Sequence, residues 1–245
     1  MRLVVGVLAA VLVAVAMAPA SLIDRAGQAL SHGHVRVGSA EGTIWHGRGV
    51  IEVADSATKS WTLWRQVQWS LDIPAIFGGW LAWRLSVEGA ESSQLAFGPS
   101  RWRVTNLTMV GPARYLVQHF ANPLAKLGWQ GDLRLATPSL ECSWQGICDG
   151  HLSAHWLNAG CDCLPEQVFG DYAIEAVANA GRVRFDLTTV AGAIRVTGSG
   201  GFSTEKPLSL DATVSGDPLV LSRLPAVASP WATPTEDPGI WNIHF

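Results

Sequence analysis

The chain has 245 residues, a formal net charge of −3 and 15% charged residues, and its 17 Lys and Arg are scattered along it. That pattern gives no ground for nucleic-acid binding, and the length allows one large domain or two small ones. Twelve Trp against two Tyr, with 25 Gly and 13 Pro, favour half-buried strands and turns over helices.

Residues 3–19 form an apolar run rich in Val, Ala and Leu, extended by Ala20-Ser21-Leu22-Ile23, and no charge follows Arg2 until Asp24. A run of about 20 residues is long enough to cross a bilayer as a helix. Ala18-Pro19-Ala20 before Ser21 is also a passable signal-cleavage site. Either reading exports the rest of the chain, with Arg2 holding the N-terminus on the cytoplasmic side. A retained transmembrane signal anchor over residues 1–23 is the favoured expectation. A membrane-proximal segment follows over residues 24–34, with a short helical stretch at 24–30 ended by Ser31-His32-Gly33-His34.

From Val35 the apolar period changes to two, the mark of a half-buried strand. Val35 and Val37 alternate with Arg36. Residues 41–53 form a strand-like stretch whose glycines allow the backbone to bend or approach closely. Val67, Trp69, Leu71 and Ile73 alternate with polar neighbours, as do Leu81, Trp83, Leu85 and Val87, with residues 74–79 connecting the two. Weaker strands are expected at 95–97 and 102–107. These elements make a first β half, residues 35–111.

A short helical connection is expected over 112–128, opened by Pro112 with Tyr115, Leu116, His119 and Phe120 on one face. The second β half, residues 129–216, begins with Trp129, Gly131, Leu133 and Leu135. Strands are expected around Leu140 to Trp144, Leu152 to Trp156, Tyr172 to Ala176, Val183 to Leu187, Ile194 to Val196 and Leu208 to Val214. Turns are expected at 179–181, 190–192 and 198–201, the last being Gly198-Ser199-Gly200-Gly201. Residues 217–245 should hold a short helix, a Pro-rich stretch and a terminal strand through Trp241, Ile243 and Phe245. The expected fold is therefore mainly β: a curved antiparallel meander sheet with a few short helices, one N-terminal transmembrane helix, and a weak repetition of order between its halves.

Cys142, Cys148, Cys161 and Cys163 are candidate disulfide cysteines, because an even number in an exported chain reads first as bridges. Three connectivities are open. A ring between Cys161 and Cys163 would be strained, which leaves bridges from Cys142 and Cys148 to that pair at least as plausible. His151, His155, Cys161 and Cys163 have ligand-like spacing for zinc. Leu152, Ala154 and Trp156 favour a strand there, however, and positions four apart on a strand stand about 13 Å from each other. No metal site is therefore expected. The sequence holds no Gly-x-Ser-x-Gly elbow and no Gly-rich phosphate loop, and its carboxylates alternate with apolar residues as on a solvated sheet face. No catalytic residues, cofactor or enzymatic activity are expected.

With Gly42-Thr43-Ile44-Trp45-His46-Gly47-Arg48-Gly49 following an apolar N-terminal run and preceding Val67-Gln68-Trp69-Ser70-Leu71, the chain resembles the protein N family of the type II secretion system. The resemblance continues through residues 129–135, 169–172 and the late strands to Val214. Gly42, Thr43, Trp45, Gly47 and Gly49 are its informative positions, read as structural. At the end the chain departs from the family pattern, because residues 225–238 intervene before the last strand. The resemblance implies an accessory component anchored in the inner membrane through residues 3–23. Its bulk would lie in the periplasm, contacting other secretion components without catalysis. The chain also looks distantly like periplasmic long-sheet proteins of the AsmA type, which implies as an alternative a groove that binds or transfers lipid.

Overall fold

The computed structural model describes residues 2–54, 60–88, 92–114, 128–162, 164, 167–203, 206, 208–221 and 232–244. The fold is mainly β: fourteen strands in an open antiparallel meander, with four short helices among the described residues. The chain divides into two compact units, Met1–Pro99 and Ser100–Phe245.

In the first unit the apolar N-terminal run is not one helix. Helix α1 spans Arg2–Ala16 and α2 spans Ser21–Leu30. Pro19 causes the break: it has no N–H to donate, and it disfavours helical geometry at Ala18. The freed backbone is taken up by the sheet. Ala18 O accepts from Ile44 N at 3.0 Å, Ala20 N donates to Gly42 O at 3.1 Å, and Pro19 bridges Thr43. The continuous span expected over residues 3–23 is thus corrected to a 15-residue helix, a four-residue link bridged to the sheet at Pro19, and a second helix packed on the fold. Among the described residues no helix is long and apolar enough to cross a membrane.

Five strands build this unit: β1 (Val35–Gly42), β2 (His46–Ala54), β3 (Trp61–Leu71), β4 (Leu81–Val87) and β5 (Ser93–Phe97), each antiparallel to the next. A short helix α3 (Ile73–Phe77) joins β3 to β4. Alternation puts Val67 and Trp69 on one face, where they are buried with Ala20 under Ile23 of α2 and against Trp83, Leu85 and Val87. His32 and His34, expected in a loose segment, lie in the tight turn between α2 and β1. There His34 O accepts from Ala54 N at 2.9 Å.

The second unit runs through β6 (Arg101–Pro112), β7 (Trp129–Ser143), β8 (Cys148–Cys161), β9 (Gly170–Asn179), β10 (Arg182–Gly192), β11 (Arg195–Ser203) and β12 (Ser209–Ser215). Helix α4 (Pro218–Leu221), β13 (Ala232–Pro234) and β14 (Ile240–His244) complete it, and β14 lies between β12 and β13. Strand β6, which the sequence places at the end of the first β half, pairs with β7 from Arg101–Ser143 to Pro112–Asp132. Pro112, expected to open a helix, ends β6. Ala113 and Arg114 turn helical after it, while residues 115–127 of that connection and the Pro-rich stretch at 225–231 lie outside the described residues. The late departure from the family pattern does not disturb the last strand, since Trp241 pairs with Val214 and Ile243 with Ala212.

Two expected turns are corrected. Residues 190–192 belong to the end of β10, where Ala191 pairs with Asp171 and Gly192 with Gly170. Residues 198–201 lie inside β11, paired with β10 and β12. The glycines there mark close approach rather than reversal. A Cβ on Gly200 would meet the Phe185 ring, and one on Gly198 the Ala212 methyl. The core of the unit gathers Ala159, Cys161, Phe169, Tyr172, Ile194, Val214 and Leu221, with Trp129, Trp156 and Trp241 packed against it.

Candidate functional site

The Gly-Thr-x-Trp-x-Gly-x-Gly segment forms the turn between β1 and β2, and it holds the end of α1 against the first unit. Thr43 closes the turn. Its N–H donates to His46 O at 2.9 Å, while its hydroxyl oxygen accepts from Trp45 N at 3.3 Å and His46 N at 3.2 Å. Gly42 sits at φ +92, where a side chain would be strained, and a Cβ there would lie 2.5 Å from His46 O. Gly47 leaves room for Trp69, whose ring carbon Cζ2 stands 2.6 Å from where a Cβ would be.

Three indole N–H groups then converge on backbone carbonyls. Trp69 donates to Thr43 O at 2.9 Å, Trp83 to Ile44 O at 2.9 Å and Trp45 to Val15 O at 2.8 Å. The last bond matters most, because Val15 lies in the final turn of α1, whose carbonyls have no partner within the helix. Trp45 also stacks on Trp83, with centroids 6.1 Å apart and planes 7° apart, and Trp83 meets Phe97 edge-on at 6.0 Å. In the sequence Trp69 and Trp83 stand out as alternating strand residues. The Trp-rich composition was the signal that could have linked them to the turn.

Polar side chains alternate with these tryptophans on the strands. Glu41, His46, Arg48, Gln68, Ser70 and Arg84 line a shallow basin of about 630 Å³. Arg48 donates to Glu41 at 2.7 and 2.9 Å, and Arg84 stands 3.9 Å from Asp72, all well exposed except Asp72.

In the second unit Cys142 and Cys148 form a disulfide across the β7–β8 hairpin, where the two residues are register partners. Cys161 is also disulfide-bonded, and Cys163 lies outside the described residues. The bridged hairpin presents Trp144 and Ile147, 54% and 46% exposed. Glu141 beside it accepts from Arg101 and, at 2.6 Å, from Arg103, and these two guanidinium hydrogen bonds hold its carboxyl below the usual carboxylate range. His151 and His155 lie on the same face of β8, four residues apart, and His151 contacts Glu175 at 2.7 Å. They do not meet Cys161, and no group of three or more His, Cys, Asp or Glu able to hold a metal ion gathers among the described residues.

Two apolar grooves run along the sheet of this unit. One of about 590 Å³ is lined by Leu140, Leu152, Ile174, Val183, Phe185 and Phe202. The other, about 290 Å³, is lined by Trp129, Leu133, Trp156, Tyr172, Leu187 and Val196. Tyr172 donates its hydroxyl to Ile194 O at 3.0 Å, and burial pushes its pKa up to about 12.

Fold and site together define a mainly β meander protein with an apolar N-terminal helix bonded to one of its turns. Residues 33–222 match the family model of type II secretion system protein N, and the chain belongs to that family. It is thereby an accessory component of the type II secretion system. No curated protein and no solved structure matches the chain significantly.

Proposed function

We propose that the chain serves the type II secretion system as a periplasmic protein held in the inner membrane by its N-terminal segment, acting through non-catalytic contacts with other secretion components. The match over residues 33–222 is the observation that carries this reading. Helix α1 supports the anchor: apart from Arg2 it has no charged residue, and Val5, Val7, Val11 and Val13 stand more than half exposed. Water is a poor solvent for such a surface. The Cys142–Cys148 bridge suits an oxidising compartment. Gly42, Thr43, Trp45, Gly47 and Gly49 serve the anchor structurally, by fixing α1 to the sheet.

The test is a deletion strain assayed for secreted enzymes, paired with cross-linking and pull-down from envelope membranes. Secretion should fall, and secretion components should be recovered with the chain. Unimpaired secretion together with a pull-down free of secretion components would overturn the reading.

A second reading, a lipid-binding or lipid-transfer groove, is favoured by the apolar grooves of the second unit. The floor of a groove on a sheet face has its backbone groups already paired, so a polar occupant would leave donors and acceptors unmatched. A hydrocarbon chain needs none. Native mass spectrometry of the detergent-extracted protein should then show bound phospholipid, and a spectrum of protein alone would reject this reading.

A further inference from the structure

The end of the first unit that carries the Trp45 turn has an unusual surface. Leu71 N donates to Trp45 O at 2.6 Å, so β3 ends beside the turn, and α3 begins two residues later. Helix α3 packs little of itself away: Ile73 is 61% exposed, Ile76 46% and Phe77 90%, and Leu81 continues the patch. Residues 73–83 contain no charged side chain. Asp72, at the edge of this stretch, is held by Gln94 at 2.7 Å and lies 3.9 Å from Arg84. The α3 loop is also well braced, since Asp72 N donates to Ala82 O at 2.8 Å and Trp80 N to Ala75 O at 3.0 Å. A bare Phe on a braced, uncharged loop is poorly suited to water.

The same end of the sheet receives α1. Trp45 bonds Val15 O inside the helix, and Ile44 bonds Ala18 O two residues past its end, so no spacer separates helix from sheet. We infer that this end of the first unit, with Phe77, Ile73, Ile76 and Leu81 around the Trp45 turn, is a membrane-seating surface that sinks into the lipid headgroup region beside α1. The inference rests on the anchoring read above.

Two physical points commit the surface to lipid. The first is length. At 1.5 Å per residue α1 spans about 22 Å, short of the hydrocarbon core of about 30 Å. An inserted α1 therefore draws the sheet end roughly 8 Å inward, a depth typical of interfacial apolar segments. The second is chemistry. Trp45, Trp80 and Trp83 combine a broad apolar ring with one N–H, the residue type that gathers at membrane interfaces, and Trp80 and Trp83 lie in the same uncharged stretch as Phe77 and Leu81. Residues 73–83 thus bring no ion to desolvate, and their depth is the one that α1 sets.

The test uses the full chain in phospholipid vesicles, with an environment-sensitive fluorophore on a single added cysteine: Phe77→Cys, Val11→Cys in α1, or Gln66→Cys on an exposed face of β3. Phe77 and Val11 are exposed, so neither change disturbs packing. Lipids brominated near the headgroup should quench the label at 77 and shift its emission to the blue, while the label at 66 keeps the emission it has in water. Quenching at 11 with none at 77 would overturn the seating surface and leave the anchor standing. Quenching at neither position would overturn both.

Discussion

Trp45 does two jobs that a substitution can separate. Its ring stacks on Trp83, and its N–H is donated to Val15 O. Trp45→Phe keeps most of the ring surface and removes the bond, which should lower stability by about 1 kcal/mol in chemical denaturation. Trp45→Ala removes both, and for a half-buried ring the loss should be about 2 kcal/mol. Two titrating residues have shifted pKa values that couple their protonation to folding. Glu141 has a folded pKa below its ordinary value of 4.5, so its contribution is complete above that value and is lost as pH falls through the folded pKa. Tyr172 has a folded pKa raised from 10.0 to about 12, so the unfolded chain gives up its proton first and stability declines as pH rises from about 10 to about 12. Denaturation midpoints followed against pH should show both limbs, with Glu141→Gln flattening the acid limb and Tyr172→Phe the alkaline one.

At the scale of elements, the two-residue period located most strands, because each buries one face and leaves the other to water. The errors came where a residue type serves two causes. Gly198-Ser199-Gly200-Gly201 has the composition of a turn, yet Phe185 and Ala212 claim the space above its glycines, a fact that resides in strands ten or more residues away. The Cys142–Cys148 pairing was undetermined for the same reason, since it follows from the β7–β8 register, which no count of cysteines contains. The Trp45 turn was legible as a motif but not as a clasp, because its partner carbonyl belongs to Val15, thirty residues earlier. The hairpin disulfide closes a short loop, so Cys142→Ser with Cys148→Ser should cost about 2 kcal/mol through the freed unfolded chain. Thermal unfolding of the unaltered protein with and without reductant should show a larger loss, because reductant also opens the bridge at Cys161.

For the whole molecule, the first apolar run shows how one pattern can hide two physical roles. Hydropathy alone makes residues 3–23 a single span. The structure gives the first part to an exposed helix and the second to the core, where Ala20 is 1% exposed and Ile23 packs against the cluster of Ala20, Val67 and Trp69. Lipid and protein interior select the same side chains, so under the proposed anchoring only Pro19 signals where one ends and the other begins. The family match begins at residue 33, just before β1, so α1 and α2 are fastened to the shared fold from outside it. This separation makes the anchor testable without damage to the rest. Val11 is 52% exposed and lies a turn before the carbonyl that Trp45 binds. A carboxylate at the middle of a membrane helix costs about 3 kcal/mol on insertion scales, while on this exposed helix face it should leave the sheet intact. Val11→Asp should therefore move the chain from the sedimented membranes to the soluble fraction with its near-ultraviolet circular dichroism unchanged. If the variant stayed wholly with the membranes, the sheet surfaces rather than α1 would be what holds the protein there.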